Sequence, residues 1–139
     1  MIYSQPMTIE EQVTSLELSK KLKELGVKQE SLFYWKTYEP DQFDTVPHPK
    51  IINFKEEPGF SENSLYSAFT VAELGMLFAD LGSMRRKPLI FSGYIWKSKQ
   101  FSCRHFYASD SIKQFDAPTE ADARAEMLIY LLEKQLLTL

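Results

Sequence analysis

Two small groups of residues have types and spacing that chemistry uses. Cys103 and His105 stand two apart, which on a β-strand puts both side chains on one face, in a basic setting that favours a thiolate. A cysteine nucleophile also needs a base held by a third group, and the sequence identifies none. A lone cysteine between aromatic residues equally suits a core position. His48 sits between two prolines with Asp41 and Asp44 upstream, a start toward a metal site, but the chain has only 2 histidines and no H-x-x-x-H or C-x-x-C pair. "LGSMRRKP" has one glycine and no G-K-[ST], so it is no phosphate loop, and no pair of acids is singled out for general acid–base work. The expectation is a protein without catalytic activity, metal or cofactor, with Cys103 and His105 as the one exception.

The second group is larger. Residues 81–109 contain Arg85, Arg86, Lys87, Lys97, Lys99 and Arg104 and no acid, although the whole chain carries a net charge of -3. Residues 1–80, by contrast, hold 7 lysines against 13 acids. Aromatic residues interleave with the basic ones: Phe91, Tyr94, Trp96, Phe101, Phe106 and Tyr107. Rings and cations together on a β surface hold single-stranded nucleic acid or nucleotides in several modules. They suit an acidic protein surface as well. The alternative is that the rings are core and rim while the bases form a solvated edge that discourages strand pairing. Candidate contact residues are therefore Arg85, Arg86, Lys87, Tyr94, Trp96, Lys97, Lys99, Arg104 and Phe106. Alternation on residues 101–107 sets Ser102, Arg104 and Phe106 against Phe101, Cys103, His105 and Tyr107, and Arg104 should look outward.

The elements that must position these residues can be read from periodicity. At 139 residues, 44% hydrophobic and 14% aromatic, the chain suits one domain over 1–139 with a real core. No apolar run reaches the roughly 18 residues of a membrane span, and "MIYSQPMTIEEQ" shows no signal-peptide pattern. A single cysteine allows no internal disulfide. A reduced, cytoplasmic setting is expected.

Residues 1–13 read as an irregular arm. "TSLELSKKLKELG" places Leu16, Leu18, Leu22 and Leu25 near one helix side, with Thr14 and Glu17 as a capping box and Gly26 as its end. The stretch 39–64 is loop-rich around "IINF", a short strand. "FTVAELGMLFADLG" predicts a second helix, boxed by Thr70 and Glu73 and closed by Gly82. "KPLIFSGYIWKSKQFSCRHFYASD" predicts a hairpin. "TEADARAEMLIYLLEKQLL" predicts a third helix, with Ala121, Ala125, Leu128, Ile129, Leu132 and Leu136 on one face and Thr119 and Asp122 as a weaker box. The first two helices share T-x-x-E-L-x-x-x-x-x-[DE]-L-G, which reads either as a duplicated helix–strand–strand unit or as two helices alike in length and caps. The expected fold is α+β, order α-β-β-α-β-β-α, with about three helices packed on an antiparallel sheet of about four strands.

"LGVKQESLFYWK", residues 25–36, could open a helix-turn-helix DNA reader spanning 14–37. As a helix, however, "LFYW" would spread four large side chains around a full turn, leaving no polar side for bases. As a strand the residues separate cleanly, with Phe33, Trp35 and Thr37 on one side and Leu32, Tyr34, Lys36 and Tyr38 on the other. The acidic surroundings also lack attraction for phosphates. The strand reading is preferred and double-stranded DNA is not the expected partner.

With "TSLELSKKLKELGVKQESLFYW", "FTVAELG" and "ADARAEMLIYLLE" in view, the chain resembles a group of small phage and prophage proteins of uncharacterised function. The three blocks cover about half of the chain. The resemblance implies a viral or prophage origin and a host-cell cytoplasmic setting, and it supplies no catalytic residues. Together these readings lead to a non-enzymatic phage-type protein that acts by binding a host protein or another partner, with no specific function identified. The alternative is a binder of a nucleotide, a nucleotide-derived signal or single-stranded nucleic acid, and exposed aromatic strands allow a homodimer.

Overall fold

The computed structural model describes residues 7–37, 50–53, 65–80, 89–107, 110–137 and 139. In chain order its elements are helix α1 (Ile9–Gln12), helix α2 (Leu16–Glu24), strands β1 (Tyr34–Lys36), β2 (Lys50–Ile52) and β3 (Leu65–Ser67), and helix α3 (Val71–Asp80). Strands β4 (Leu89–Ile95), β5 (Gln100–Tyr107) and β6 (Asp110–Ala117) and helix α4 (Glu120–Glu133) complete the chain. The class is α+β and every strand pair is antiparallel, but the strands form two sheets of three, ordered β2-β1-β3 and β4-β5-β6, rather than one of four. Helices number four among the described residues because part of the expected N-terminal arm folds as α1, where the Thr8 N–H donates to the Glu11 carboxylate at 2.8 Å. None of these helices is long and apolar enough to cross a membrane.

Among the described residues, both helix–strand units of the apparent repeat are a helix followed by three strands. Their sheets are wired differently, however. The first strand is central in one and the second strand in the other, so the shared helix motif does not extend to a shared strand order.

Helix α4 organises the core. Ala121, Ala125, Leu128 and Ile129 are buried as the periodicity predicts, but so are Ala123, Met127 and Leu131 on its other sides. Burial on more than one side means that several elements pack on this helix, although it also carries Glu120, Asp122, Arg124 and Glu126. Here α4 lies against the second sheet on one side and against α2 and α3 on others. Its end is a Schellman motif: the Gln135 N–H donates to the Leu132 carbonyl at 3.1 Å and the Leu136 N–H to the Leu131 carbonyl at 2.8 Å.

Residues 25–36 resolve as the strand reading requires. Gly26 ends α2 at φ +89°, a conformation that suits glycine. Trp35 on β1 is buried with Val13 and Ala68, and its Nε1 donates to the Thr14 carbonyl at 2.7 Å. The polar turn is tied down by Glu73 of α3, which accepts from Ser31 Oγ at 3.0 Å, the Leu32 N–H at 3.2 Å and the Thr70 N–H at 3.1 Å. The Thr70–Glu73 box is thus formed, with the Glu73 N–H donating to Thr70 Oγ1 at 3.2 Å.

The Thr14–Glu17 box is not formed. Thr14 is fully buried, with Oγ1 2.7 Å from Ser19 Oγ and accepting from the Phe69 N–H at 3.1 Å, so its hydroxyl is committed to the core. Ser15 caps α2 instead, its Oγ accepting from the Leu18 N–H at 3.5 Å. Gly82 lies outside the described residues.

Candidate functional site

The hairpin β4–β5 forms as predicted, with Ile95 opposite Gln100 and a four-residue turn between them. Lys99 closes that turn at φ 55°, the left-handed conformation that four-residue hairpin loops commonly use at one position. Residues paired across antiparallel strands share a face, so the register sorts every side chain of this sheet. Toward α4 go Ile90, Ser92, Tyr94, Phe101, Cys103, His105, Phe115 and Ala117. Away from α4 go Phe91, Gly93, Ile95, Ser102, Arg104, Gln114 and Asp116.

The face toward α4 contains the residues with catalytic potential, and it is a packing face. Cys103 is fully buried and His105 nearly so. Burial pushes the Cys103 thiol up to about 11, against a smaller opposing pull from the Arg124 guanidinium, so the thiol stays protonated at neutral pH. The basic setting noted in the sequence therefore does not yield a reactive thiolate. Burial likewise holds His105 below the usual imidazole range. Opposite Cys103, Ser92 Oγ donates to Glu120 Oε1 at 2.6 Å and accepts from Arg124 Nε at 2.9 Å. Arg124 also reaches the Val71 carbonyl at 3.3 Å and Glu120 Oε1 at 3.3 Å, which locks α4 to β4 and α3. Among the described residues no three histidine, cysteine, aspartate or glutamate side chains are placed to hold a metal ion, and His48, Asp41 and Asp44 lie outside them.

The face away from α4 holds a depression of about 270 Å³ between β4 and β5, bordered by Phe91, Gly93, Tyr94, Ile95, Ser102 and Arg104. Arg104 is exposed and points outward, as alternation predicts. Beyond the hairpin end, Trp96 is 85% exposed and its ring meets that of Tyr94 edge-on at 5.4 Å, while Tyr94 meets Phe101 at 5.1 Å. Tyr94 thus belongs by register to the α4 side but stands past the helix start, half-exposed at 43%. Lys97 and Lys99 are exposed in the turn.

The structure brings Tyr94, Trp96, Lys97, Lys99 and Arg104 to one hairpin but distributes them over both faces and the tip. Phe106 pairs with Leu89 and Ile112. Arg85, Arg86 and Lys87 lie outside the described residues. Of the residues lining the depression only Tyr94 and Arg104 are sequence candidates; Phe91, Ser92, Gly93, Ile95 and Ser102 are not, although a glycine inside a β-branched and aromatic run is a signal for close approach. The third strand also changes the electrostatics. It sets Asp116 beside Ser102 and Gln114 beside Arg104, and the Gln114 side-chain amide donates to Asp116 Oδ1 at 2.8 Å. The outward face is therefore mixed in charge rather than uniformly basic.

A second, larger hollow of about 550 Å³ lies between α2, α4 and β6. Three of its charged residues are engaged internally: Lys21 pairs with Glu133 at 3.2 Å, and the Lys113 ammonium sits over the Phe115 and Tyr130 rings at 5.4 and 5.2 Å.

Comparison with known proteins returns no match to any family model, to any curated protein or to any solved structure.

Proposed function

We propose that this is a phage- or prophage-type protein that acts without catalysis, by binding a host protein through the β4–β5 hairpin. One observation carries the reading. Within six residues the hairpin exposes Phe91 by 56%, Tyr94 by 43% and Trp96 by 85%, with Arg104 on the paired strand. Tryptophan, tyrosine and arginine are the types that dominate binding energy at protein interfaces, and large rings held out in water need a reason. The phage resemblance of the sequence blocks agrees with a host-protein target, and the protonated, buried Cys103 agrees with a non-catalytic role.

The nucleotide or single-strand reading rests on Lys97, Lys99 and Arg104. Asp116 and Gln114 on the outward face weaken it, because a phosphate chain draws its affinity from several cations together and this face is mixed in charge.

Affinity capture from bacterial lysate, with wild type and Trp96→Ala side by side, tests the proposal. Expected is one protein retained in fixed stoichiometry by wild type and lost, by more than about tenfold in affinity, from the variant, as truncation of a hot-spot residue requires. Identical capture by both forms, or recovery of wild type alone, overturns it.

A further inference from the structure

We infer that the depression over Gly93 is a pocket for a carboxylate side chain on the partner's surface, with Ser102 and Arg104 as its hydrogen-bond donors. The inference rests on the hairpin being a protein-contact surface and adds the chemistry of what it contacts.

Gly93 is the first observation. It lies in the interior of the seven-residue strand β4, where glycine weakens the strand. Its backbone is not in the left-handed region that favours glycine, which among the described glycines only Gly26 occupies. Nor is it needed for packing, since a Cβ built at this position meets nothing within 4 Å. Neither conformation nor crowding asks for glycine here. What remains is access: without a side chain, another group can come down onto the backbone of β4.

Its cross-strand partner Ser102 is the second. Ser102 is 5% exposed, yet its buried Oγ has no hydrogen-bond partner. A buried hydroxyl left unpaired is costly and uncommon. Ser102 borders the depression, and a rotation of its side chain toward the open space over Gly93 would bring that hydroxyl to an acceptor seated there and give it the partner it lacks.

Charge and size then select the occupant. Arg104 is the one charged residue among those lining the depression, and the nearby Asp116 carboxylate, across from Ser102, accepts from the Gln114 side-chain amide at 2.8 Å. A guanidinium and a hydroxyl offer donors, and a carboxylate accepts only, with geometry that matches the guanidinium fork. Phe91 and Ile95 supply apolar walls for the methylenes of the stem. A volume of about 270 Å³ takes one side chain and falls short of the usual range for a largely enclosed drug-sized ligand, roughly 300–1,000 Å³. The partner chemistry this fits is an exposed aspartate or glutamate among apolar residues.

Amide-resolved NMR titration of the full chain tests this with three probes: acetyl-Leu-Glu-Leu-amide, its glutamine counterpart and inorganic phosphate. The glutamate peptide is expected to shift the Gly93 and Ser102 amides saturably, with the glutamine peptide weaker by about tenfold, the scale of one charge-assisted hydrogen bond. Gly93→Ala should weaken the glutamate peptide by a similar factor while its Tm stays at or above that of wild type. Arg104→Gln should abolish the preference for glutamate over glutamine. Equal response to the two peptides, no saturable shift, or stronger perturbation of these amides by phosphate overturns the inference. So does a Gly93→Ala variant that loses stability but keeps its affinity, since the glycine is then structural. If Trp96→Ala loses the captured partner and Gly93→Ala retains it, the hairpin surface stands and the pocket alone falls. If both variants retain the partner, both readings fall.

Discussion

The Asp122 carboxylate, in the first turn of α4, accepts a 2.7 Å hydrogen bond from the backbone N–H of Ser15, 107 residues earlier at the start of α2. The Asp122 N–H in turn donates to Thr119 Oγ1 at 3.2 Å. The expected Thr119–Asp122 box is therefore half a box, because the carboxylate is spent on a neighbouring helix. One side chain serves the starts of two helices, where unpaired N–H groups gather. Burial pushes the Asp122 pKa up, opposed by its bonds from Ser15. Asp122→Asn keeps an acceptor oxygen and removes the buried charge, so it should match or exceed wild type in urea denaturation at pH 7. Asp122→Ala removes the acceptor and should cost about 1–2 kcal/mol.

The same groups set a pH dependence with two opposite limbs. Glu126 is raised like Asp122, by burial first and then by the charges of Asp122 and Asp116. A carboxyl raised by folding contributes stability that is present below its ordinary value, 3.8 for Asp122 and 4.5 for Glu126, and lost as pH rises through the folded value. His105 is lowered by burial, so its contribution is present above 6.5 and lost as pH falls below it. Stability measured against pH should therefore decline from pH 7 toward 5 with a slope that His105→Gln flattens. Asp122→Asn should leave that slope intact and alter the limb just above pH 4. The comparison is of slopes, so an overall loss of stability in either variant does not obscure it.

How far the sequence reveals this architecture depends on where the hydrophobic period survives. Helix α4 and the β4–β5 hairpin are legible because each has one strong period, and alternation alone tells Arg104 from Cys103 and His105. Strand β6 is not legible. Its apolar residues Ile112 and Phe115 stand three apart, on opposite faces of a strand, and the other positions of "DSIKQFDA" are polar apart from Ala117. Strand β3 has three residues, too few to show alternation. Missing β6 also hid the charge balance of the site, since Gln114 and Asp116 arrive on the outward face only through that strand. Gly93 and Ser102 escape for another reason: one matters through an absent side chain and the other through an absent partner, and neither absence shows in residue type.

Cys103 should behave as a packing residue. With the thiol pushed up to about 11, roughly one molecule in a thousand carries a thiolate at pH 8. Iodoacetamide should modify the native protein very slowly and the urea-unfolded protein at the rate of an ordinary cysteine. Because Cys103 is fully buried, Cys103→Ala should cost about 1–2 kcal/mol through the small cavity it leaves. Rapid labelling in the native state would mean that β5 opens or that the thiol is activated, and would revive the catalytic reading.

Gln135 and Lys99 are the described non-glycine residues with positive φ, at 57° and 55°. The left-handed conformation costs a residue with a Cβ roughly 1 kcal/mol, and glycine escapes this. At Gln135 the conformation is imposed by the Schellman bonds that end α4, and the exposed side chain has no described contact to lose. Gln135→Gly should raise stability by about 0.5–1 kcal/mol, read as a higher denaturation midpoint at unchanged slope. Lys99→Gly relieves the same strain in the hairpin turn and should stabilise by a similar amount. It also removes a cation from the proposed contact surface. If the hairpin binds an acidic partner, Lys99→Gly gains stability while losing affinity, chiefly through a slower association rate at low salt. Gln135→Gly gains stability alone. Equal binding by the two variants would show that the charge at the hairpin tip takes no part in recognition.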